Sequence, residues 1–353
     1  MTGPGSTAPA RIPVGIVGAS GYGGAETARW LLRHPRFSLT AATARRAAGK
    51  RLAEVHEFLE GATDLVVTDE DAAALAKRCA ALVFALPHGE AAQRIPAALD
   101  ANPSVRIVDL SGDFRLDDAA AWEKAYGMPH PAPRLLGKFV YGFPEAHRRA
   151  VEAAQCVSNP GCFATGAEVA LFPLACRGIL KGEAVVFSVT GSSGSGADPS
   201  ATTHHPERAA DFRAYKVLEH QHVPEIERLL RESGAADPRI SLVPHSGPFV
   251  RGIFTTATVL LDSGADAAAL EGLVREVYAG EPFVRVRKGT PRVGVVAGTN
   301  FADVSVHARG GRAVILTAID NLGKGMASQA VQNLNRMFGI PETEGLLDFG
   351  HRP

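Results

Sequence analysis

The sequence predicts an α/β protein with two domains: a parallel, doubly wound sheet, then an α+β unit whose sheet is mostly antiparallel. A short apolar run at 14–17 leads through a glycine-rich turn directly into a helical pattern at 25–33. This strand–turn–helix order is typical of dinucleotide-binding units. Similar apolar runs at 80–86 and 106–110 predict further buried parallel strands. Beyond residue 180 the runs are longer and many alternate, which favours antiparallel strands.

The composition is that of a globular protein without a polyanionic partner. The 353 residues are enough for two full cores, and 37 basic residues balance 37 acidic ones. Such a chain has no net field to attract nucleic acid or an anionic membrane. Four cysteines without a Cys-x-x-Cys pair argue against a zinc ribbon or a disulfide framework and predict a cytoplasmic protein. Residues 1–10 lack signal-peptide features and are interpreted as a frayed tail.

The glycine turn after the first predicted strand is suited to binding a pyrophosphate. Gly18, Gly21 and Gly24 are spaced G-x-x-G-x-x-G, and backbone without Cβ lets an anion approach the helix N-terminus. Ser20 and Tyr22, between these glycines, are predicted cofactor contacts as well. A plain tight turn is the alternative interpretation.

Two arginines follow the second predicted strand, at 37–42. An NAD-specific site would carry an acidic residue there for the ribose hydroxyl, whereas Arg45 and Arg46 suit a 2′-phosphate. The sequence therefore favours NADP over NAD, with a solvated basic loop as the alternative.

Polar residues also follow the next two predicted strands. Pro87 and His88 come after the first of them, and Ser111, Asp113 and Arg115 after the second. The carboxyl ends of parallel strands form the ligand crevice of an open α/β sheet. His88 could be only a loop histidine, and Asp113 and Arg115 either contact substrate or pair with each other.

A cysteine is predicted at the start of a helix. Pro160 and Gly161 precede a helical pattern at 163–172, which places Cys162 in the first turn. Unpaired N–H groups and the helix dipole there would lower the pKa of the thiol, and a thiolate attacks carbonyl carbon. The alternative is a buried, inert cysteine. His220 and His222 could supply an acid/base partner, and no metal site is predicted.

The second domain contains the remaining predicted elements. Strands are predicted at 184–189, 240–244, 252–261, 302–307 and 313–319, and a last helix at about 325–338. The small-residue loop at 192–196 either wraps substrate or is a bare linker.

Six motifs occur in one order along the chain: GASGY at 18–22, LPHG at 86–89, DLSGDFR at 109–115, YGFPE at 141–145, NPGC at 159–162 and AIDNL at 318–322. Together they resemble the N-acetyl-gamma-glutamyl-phosphate reductase family of the aspartate-semialdehyde dehydrogenase superfamily. The resemblance implies a Rossmann domain at 11–157, a catalytic and dimerisation domain at 158–324, and a C-terminal helix within 325–353 that returns to the first domain. It also implies a homodimer or homotetramer.

The resemblance implies a covalent reaction on an acyl phosphate. The Cys162 thiolate would displace phosphate, NADPH would reduce the thioester to an aldehyde, and His222 would transfer protons. The substrate contacts predicted in all are Asp113, Arg115, Ser192, Tyr215 and His220. The cofactor contacts predicted in all are Gly18, Ser20, Gly21, Tyr22, Gly24, Arg45, Arg46, Pro87, Ser111 and Asn321.

Some positions depart from the family pattern. Gln221 stands where the family has an arginine between the two histidines, and Phe163 with Ala164 replaces an aromatic–proline pair. The stretch at 203–216 is similar to the lysine-biosynthesis branch, whose substrates are aminoadipyl phosphates, sometimes attached to a carrier protein. One methylene distinguishes the two acyl groups, worth only about 1–3 kcal/mol. The glutamyl substrate is favoured, and the aminoadipyl substrate stays open.

Two alternatives belong to other functional classes. A silent Rossmann redox sensor has no need of Cys162, His222 and both arginines together. A cofactor-independent Cys–His hydrolase or acyltransferase leaves the glycine turn without a purpose.

Overall fold

Two sheets organise the chain, and the computed structural model describes residues 10–261 and 266–350. Apart from Ala10, the predicted frayed tail lies outside the described residues. No helix in the described ranges is both long and apolar enough to cross a membrane.

The first sheet is entirely parallel. Its strands are β1 Ile12–Val17, β2 Phe37–Thr43, β3 Ala81–Phe84, β4 Arg106–Asp109, β5 Phe139–Tyr141 and β6 Cys156–Ser158, in the order β2-β1-β3-β4-β6-β5. Val14 lies opposite Leu39 on one side and Ala81 on the other. From β1 the chain builds outward in both directions, so a crevice opens at the carboxyl ends of β1 and β3.

Helices cover this sheet, which is why its strands are apolar runs. Every residue of β3 is buried, as expected for a parallel strand with both faces covered. The helices are α1 Tyr22–Arg33, α2 Leu52–Val55, α3 Ala72–Ala76, α4 Glu90–Ala101, α5 Ala119–Tyr126 and α6 Pro144–Ala153. The predicted helix at 25–33 therefore begins three residues earlier, at Tyr22.

The second sheet has seven strands. They are β7 Glu183–Thr190, β8 Arg213–Ala214, β9 Arg239–Ser246, β10 Ile253–Leu260, β11 Val284–Val286, β12 Ala302–Arg309 and β13 Arg312–Ile319, in the order β11-β12-β13-β10-β7-β9-β8. The sheet is mixed, so the prediction of a mostly antiparallel sheet is corrected. β7 pairs with β9, and β11 with β12, in parallel. The two strands of each pair are joined by a crossover that contains at least one helix, so the second strand runs in the same direction as the first.

The helices of this second unit include one that is buried all round. They are α7 Cys162–Cys176, α8 His205–Arg208, α9 Val223–Glu232, α10 Ala267–Val277 and α11 Val293–Val296; one further helix, α12 Ser328–Met337, belongs to the first core. From Phe163 to Ala175, every residue of α7 is buried. Helix α7 packs against α9, β10 and β13 and is therefore the central helix of the second core.

The last helix packs on the first sheet. A π-helical turn, Gly323–Ala327, leads into α12, whose Val331 and Leu334 share a core with Leu31 and Phe37. The helix ends at Met337, residues 338–350 are irregular, and 351–353 lie outside the described residues. The domain limits predicted from sequence stay a prediction.

Candidate active site

Cys162 is the first residue of α7, four residues after β6, at the carboxyl edge of the first sheet. Its neighbour Gly161 caps the helix, and a Cβ at position 161 would clash with Nε2 of His222 and lie 2.7 Å from Nη1 of Arg115. A Cβ at Gly325 would lie 3.0 Å from the Cβ of Cys162. The structure therefore brings the predicted nucleophile, acid/base residue and arginine together, and two glycines make room for them.

Arg115 is paired with a carboxylate that sequence reasoning did not select. Its Nη1 lies 3.2 Å from Oε1 of Glu225, and Nε and Nη2 donate to the carbonyl oxygens of Asn159 and Leu110. Both side chains are buried. Burial opposes the guanidinium charge, but Glu225 and further anionic neighbours hold the pKa of Arg115 above its ordinary value. The alternative that Arg115 pairs with Asp113 is therefore wrong.

The carboxylate of Glu225 also holds the cysteine loop. Its Oε2 accepts the Gly161 N–H at 3.1 Å and the Tyr141 hydroxyl at 2.8 Å. That hydroxyl also lies 2.6 Å from Oε1 of the buried Glu168. Burial, and then the charge of Glu225, raises the pKa of Glu168 well above its ordinary value, so the Tyr141 hydroxyl lies between two buried carboxyl groups.

His222 is buried beside this pair. Its Nε2 lies 3.4 Å from Nη1 of Arg115, which can only donate, so Nε2 is the acceptor and the proton is on Nδ1. Burial, then the charges of His220 and Arg115, lowers the pKa of His222 well below its ordinary value. Burial and Lys216 lower the pKa of His220 to about 4, and the two rings lie 4.5 Å apart. His222 is thus a neutral imidazole, as a proton acceptor must be.

The pKa of Cys162 corrects an expectation from the sequence. Burial raises the pKa of the thiol to about 11, although the Arg115 charge and the Phe163 N–H oppose the shift. The helix N-terminus acts in the predicted direction but is outweighed, because Cys162 is largely enclosed. The thiol is therefore protonated at neutral pH.

Several predicted substrate and cofactor residues bond within the protein. Asp113 accepts the N–H groups of Gly89 and Ala92 at 2.7 and 2.8 Å and so caps α4. The Ser111 hydroxyl donates to Asp109 at 2.7 Å. Asn321 accepts the Gly252 N–H at 2.6 Å and also bonds to Ser193. Their binding roles stay predictions, and the geometry gives each of them a positioning task.

A cleft of about 770 Å³ lies at the switch point of the first sheet. The predicted cofactor residues that line it are Gly18, Ser20, Gly21, Arg45, Arg46 and Pro87. Lys50 and Arg94, which sequence reasoning missed, bring the basic side chains in this lining to four. No atom lies within 4 Å of where a Cβ of Gly21 would be, whereas a Cβ at Gly24 would clash with Ala19. Open space at the start of α1, with cations beyond β2, fits a dinucleotide phosphate.

Some predicted residues lie outside this cleft. Ser192 and Tyr22 line a neighbouring cavity of about 460 Å³, which brings residues of the two units together. Tyr215 is half-buried, and its ring centre lies 6.4 Å from that of Phe163 and 6.2 Å from that of His220. The described ranges hold no group of three or more His, Cys, Asp or Glu residues placed to bind a metal ion.

Two missed residues had signals in the sequence. Glu225 is the last residue of the His-x-His-x-Pro-Glu run that contains both histidines. Lys216 precedes that run, and its Nζ donates to Gln221 at 2.9 Å. This lysine brings a cation beside the residue that stands in place of the family's arginine.

Known protein families match both units of the chain. The model of the semialdehyde dehydrogenase NAD binding domain matches residues 13–154, and that of the semialdehyde dehydrogenase dimerisation domain matches 162–321. Aspartate semialdehyde dehydrogenase II from Vibrio cholerae shares the fold, with a TM-score of 0.71 at 16% identity over 94% of this chain and 99% of that one. The fold and both matches define a two-domain oxidoreductase of the semialdehyde dehydrogenase class.

Sequence comparison resolves the family within that class. N-acetyl-gamma-glutamyl-phosphate reductases from Methanopyrus kandleri and Halorhodospira halophila are each 44% identical over 348 residues, which cover 97% of this chain and 100% of each relative. That of Methanocaldococcus jannaschii is 40% identical over 96% of this chain and 99% of its own length. The chain belongs to the N-acetyl-gamma-glutamyl-phosphate reductase family.

Proposed function

We propose that this chain uses NADPH to reduce N-acetyl-γ-glutamyl phosphate to N-acetylglutamate semialdehyde and phosphate, a step of arginine biosynthesis, through a thioester on Cys162. The observation that carries the proposal is the placement of Cys162 beside neutral His222 and the Arg115–Glu225 pair. The names of the full-length relatives support the glutamyl substrate over the aminoadipyl one.

The side chains of the site suit each step of this reaction. His222 Nε2 accepts the thiol proton as Sγ attacks the acyl carbon, and the bond to the phosphate oxygen breaks so that phosphate leaves. The first N–H groups of α7 stabilise the negative oxygen that forms at that carbon. NADPH, when bound in the cleft, supplies a hydride to the thioester. The carbon–sulfur bond then breaks as the carbonyl re-forms, and the proton on His222 returns to Sγ, while the released phosphate takes up one proton from solvent.

The surrounding residues position these groups. Glu225 neutralises Arg115 and binds the Gly161 N–H, which fixes the loop that carries Cys162. Lys216, whose charge lowers the pKa of His220 and of His222, adds a positive potential for the phosphate. Arg45, Arg46 and Lys50 favour NADP through its 2′-phosphate.

We also propose a cytoplasmic homodimer or pair of dimers. The four cysteines are free thiols, as in a reducing compartment. One face of the second sheet carries exposed apolar side chains, including Phe187 on β7 and Leu260 on β10, which are 44% and 68% exposed. A second copy would bury such a face.

The test is phosphate-dependent reduction of NADP⁺ by the purified protein. N-acetylglutamate semialdehyde and N-acetylaminoadipate semialdehyde are compared side by side, and we expect a strong preference for the first. The opposite preference would assign the aminoadipyl substrate, and activity with neither would contradict the proposal.

The covalent step is tested by Cys162→Ser. We expect turnover to fall about 10³-fold or more while NADPH binding is retained, because only the nucleophile changes. Cys176→Ser, at the exposed far end of the same helix, is the matched control and should leave turnover unchanged. Substantial activity in Cys162→Ser would mean that no thioester forms.

A further inference from the structure

An arginine of the second unit is buried without an anionic partner in the part of the chain that the structure describes. Arg208, the last residue of α8, is 8% exposed. Its Nη1 donates to Ser195 Oγ at 3.4 Å, but Nε and Nη2 have no hydrogen-bond partner among the described residues. Burying guanidinium N–H groups without a hydrogen-bond acceptor costs free energy, because the bonds that these groups made to water are lost and not replaced. The arrangement indicates that a ligand supplies the missing acceptor.

The two free groups define the shape of that acceptor. Nε and Nη2 lie on one edge of the guanidinium, where their parallel N–H bonds match the two oxygens of a carboxylate. A nearby carboxylate, that of Asp211, already lies 3.6 Å from Nη1 of Arg213. Burial and the Arg213 charge lower the pKa of Arg208, which an anion would reverse.

A cavity next to Arg208 has the size of a small ligand. Its volume is about 310 Å³, and it is lined by residues that include Ser192, Thr203, His205, Arg208 and Phe249. Ser192 also lines the neighbouring cavity that borders α1, so the two spaces share a wall. This cavity accounts for the stretch at 203–208, which the catalytic mechanism leaves without a task.

Tyr215 relates this cavity to the nucleophile. The pKa of Tyr215 is raised first by burial and then by Cys162, and it is lowered by Arg208, so both lie within electrostatic reach of one phenol. The ring centre of Tyr215 lies 6.4 Å from that of Phe163, the residue after Cys162, and 6.2 Å from that of His220, so this tyrosine borders the candidate active site.

We propose that Arg208 binds the α-carboxylate of the acyl-phosphate substrate through Nε and Nη2 while the acyl carbon lies at Cys162. This assignment rests on the proposed function. The substrate carries two anionic groups, and the phosphate must lie at the nucleophile because it leaves from the carbon that Sγ attacks. The α-carboxylate is the other anion, four bonds from the acyl carbon. Arg208 thus selects substrates by the end that does not react.

The test removes first the guanidinium from the protein and then the carboxylate from the substrate. Wild-type protein, Arg208→Gln and Arg208→Lys are assayed with N-acetylglutamate semialdehyde and with 4-acetamidobutanal, the same aldehyde without the carboxylate. We expect Arg208→Gln to raise KM for the first aldehyde about 10- to 100-fold with a smaller change in kcat. It should change KM for the second by less than about threefold. Arg208→Lys keeps the charge but loses the paired N–H groups. Its KM for N-acetylglutamate semialdehyde should lie between that of the wild type and that of Arg208→Gln.

Arg213→Gln is the matched control, because Arg213 is a less buried arginine on the same segment whose Nη2 donates to the Thr202 carbonyl oxygen. It should change KM for either aldehyde by less than about threefold. Retained NADPH binding and thermal unfolding show that each variant is folded. If Arg208→Gln fails to fold, Arg208→Lys must still lose more affinity for the carboxylate-bearing aldehyde.

Three outcomes would overturn the assignment. An equal rise in KM for both aldehydes would indicate a structural role for Arg208. A rise only in KM for phosphate would place the leaving group at Arg208. No change in any KM would show that Arg208 does not bind the substrate. Inactivity of the wild type with N-acetylglutamate semialdehyde would instead contradict the proposed function. In that case thermal stabilisation by N-acetylglutamate decides the assignment: wild type and Arg213→Gln should respond, and Arg208→Gln should not.

Discussion

Alkylation of Cys162 at increasing pH tests how the site controls its nucleophile. With a pKa of about 11, the thiolate fraction at pH 7.5 is about 0.0003, against about 0.1 for an ordinary cysteine with a pKa of about 8.5. The more basic thiolate is about tenfold more nucleophilic. Cys162 should therefore react about 30-fold more slowly than a free cysteine.

The assay measures modification by iodoacetamide from pH 6 to 10, with the Cys162 peptide quantified by mass spectrometry. We expect the logarithm of the rate to rise by nearly one for each pH unit, without a plateau below about pH 10. The exposed Cys176 serves as the internal reference, and Cys162→Ser confirms the peptide assignment. A plateau near pH 6–7 would refute the reasoning, since it would mean that the helix N-terminus and Arg115 prevail over burial.

Three further predictions concern the cofactor cleft. Replacing Arg45 and Arg46 by Ala should weaken NADPH binding about 10- to 100-fold and leave NADH nearly unchanged in fluorescence titrations, because only NADPH carries the 2′-phosphate; equal effects would contradict the assignment. Gly18→Ala should lower the free energy of unfolding by more than about 2 kcal/mol, because φ is +95° and a Cβ would meet the Ala85 carbonyl oxygen. Gly21→Ala, whose Cβ meets no protein atom, should leave stability unchanged but weaken NADPH binding about tenfold; unaltered NADPH affinity would remove Gly21 from the phosphate site.

The first sheet was largely predictable because its strands are apolar runs that end in turn residues. The strands at 14–17, 37–42, 80–86 and 106–110 are all present. Strands of two or three residues, such as Arg213–Ala214 and Val284–Val286, show no measurable period in a sequence. Alternation in β7 and β9 identifies strands with one buried face but not their relative direction, which depends on the crossover between them.

The sequence pointed to several residues that meet at the candidate site, but it did not predict their electrostatics. Motifs located Cys162, His222 and Arg115, yet the partner of Arg115 is 110 residues away in the sequence, at Glu225. The local rule for a helix N-terminus gave the wrong direction for the pKa of Cys162, because it omits the tertiary packing that encloses the thiol. Arg208 is unremarkable in the sequence, since its lack of a partner exists only after folding.

The return of α12 to the first sheet means that the nucleotide-binding unit is not a contiguous stretch of the gene. Ala327, Ala330 and Val331 complete the core around Val14 and Phe37, although more than 280 residues of chain separate them from those strands. A fragment that stops after β6 would expose that apolar surface to water. The core of this unit therefore needs residues 327–334 as well as β1 and β2, so removing either part takes away half of one shared packing surface.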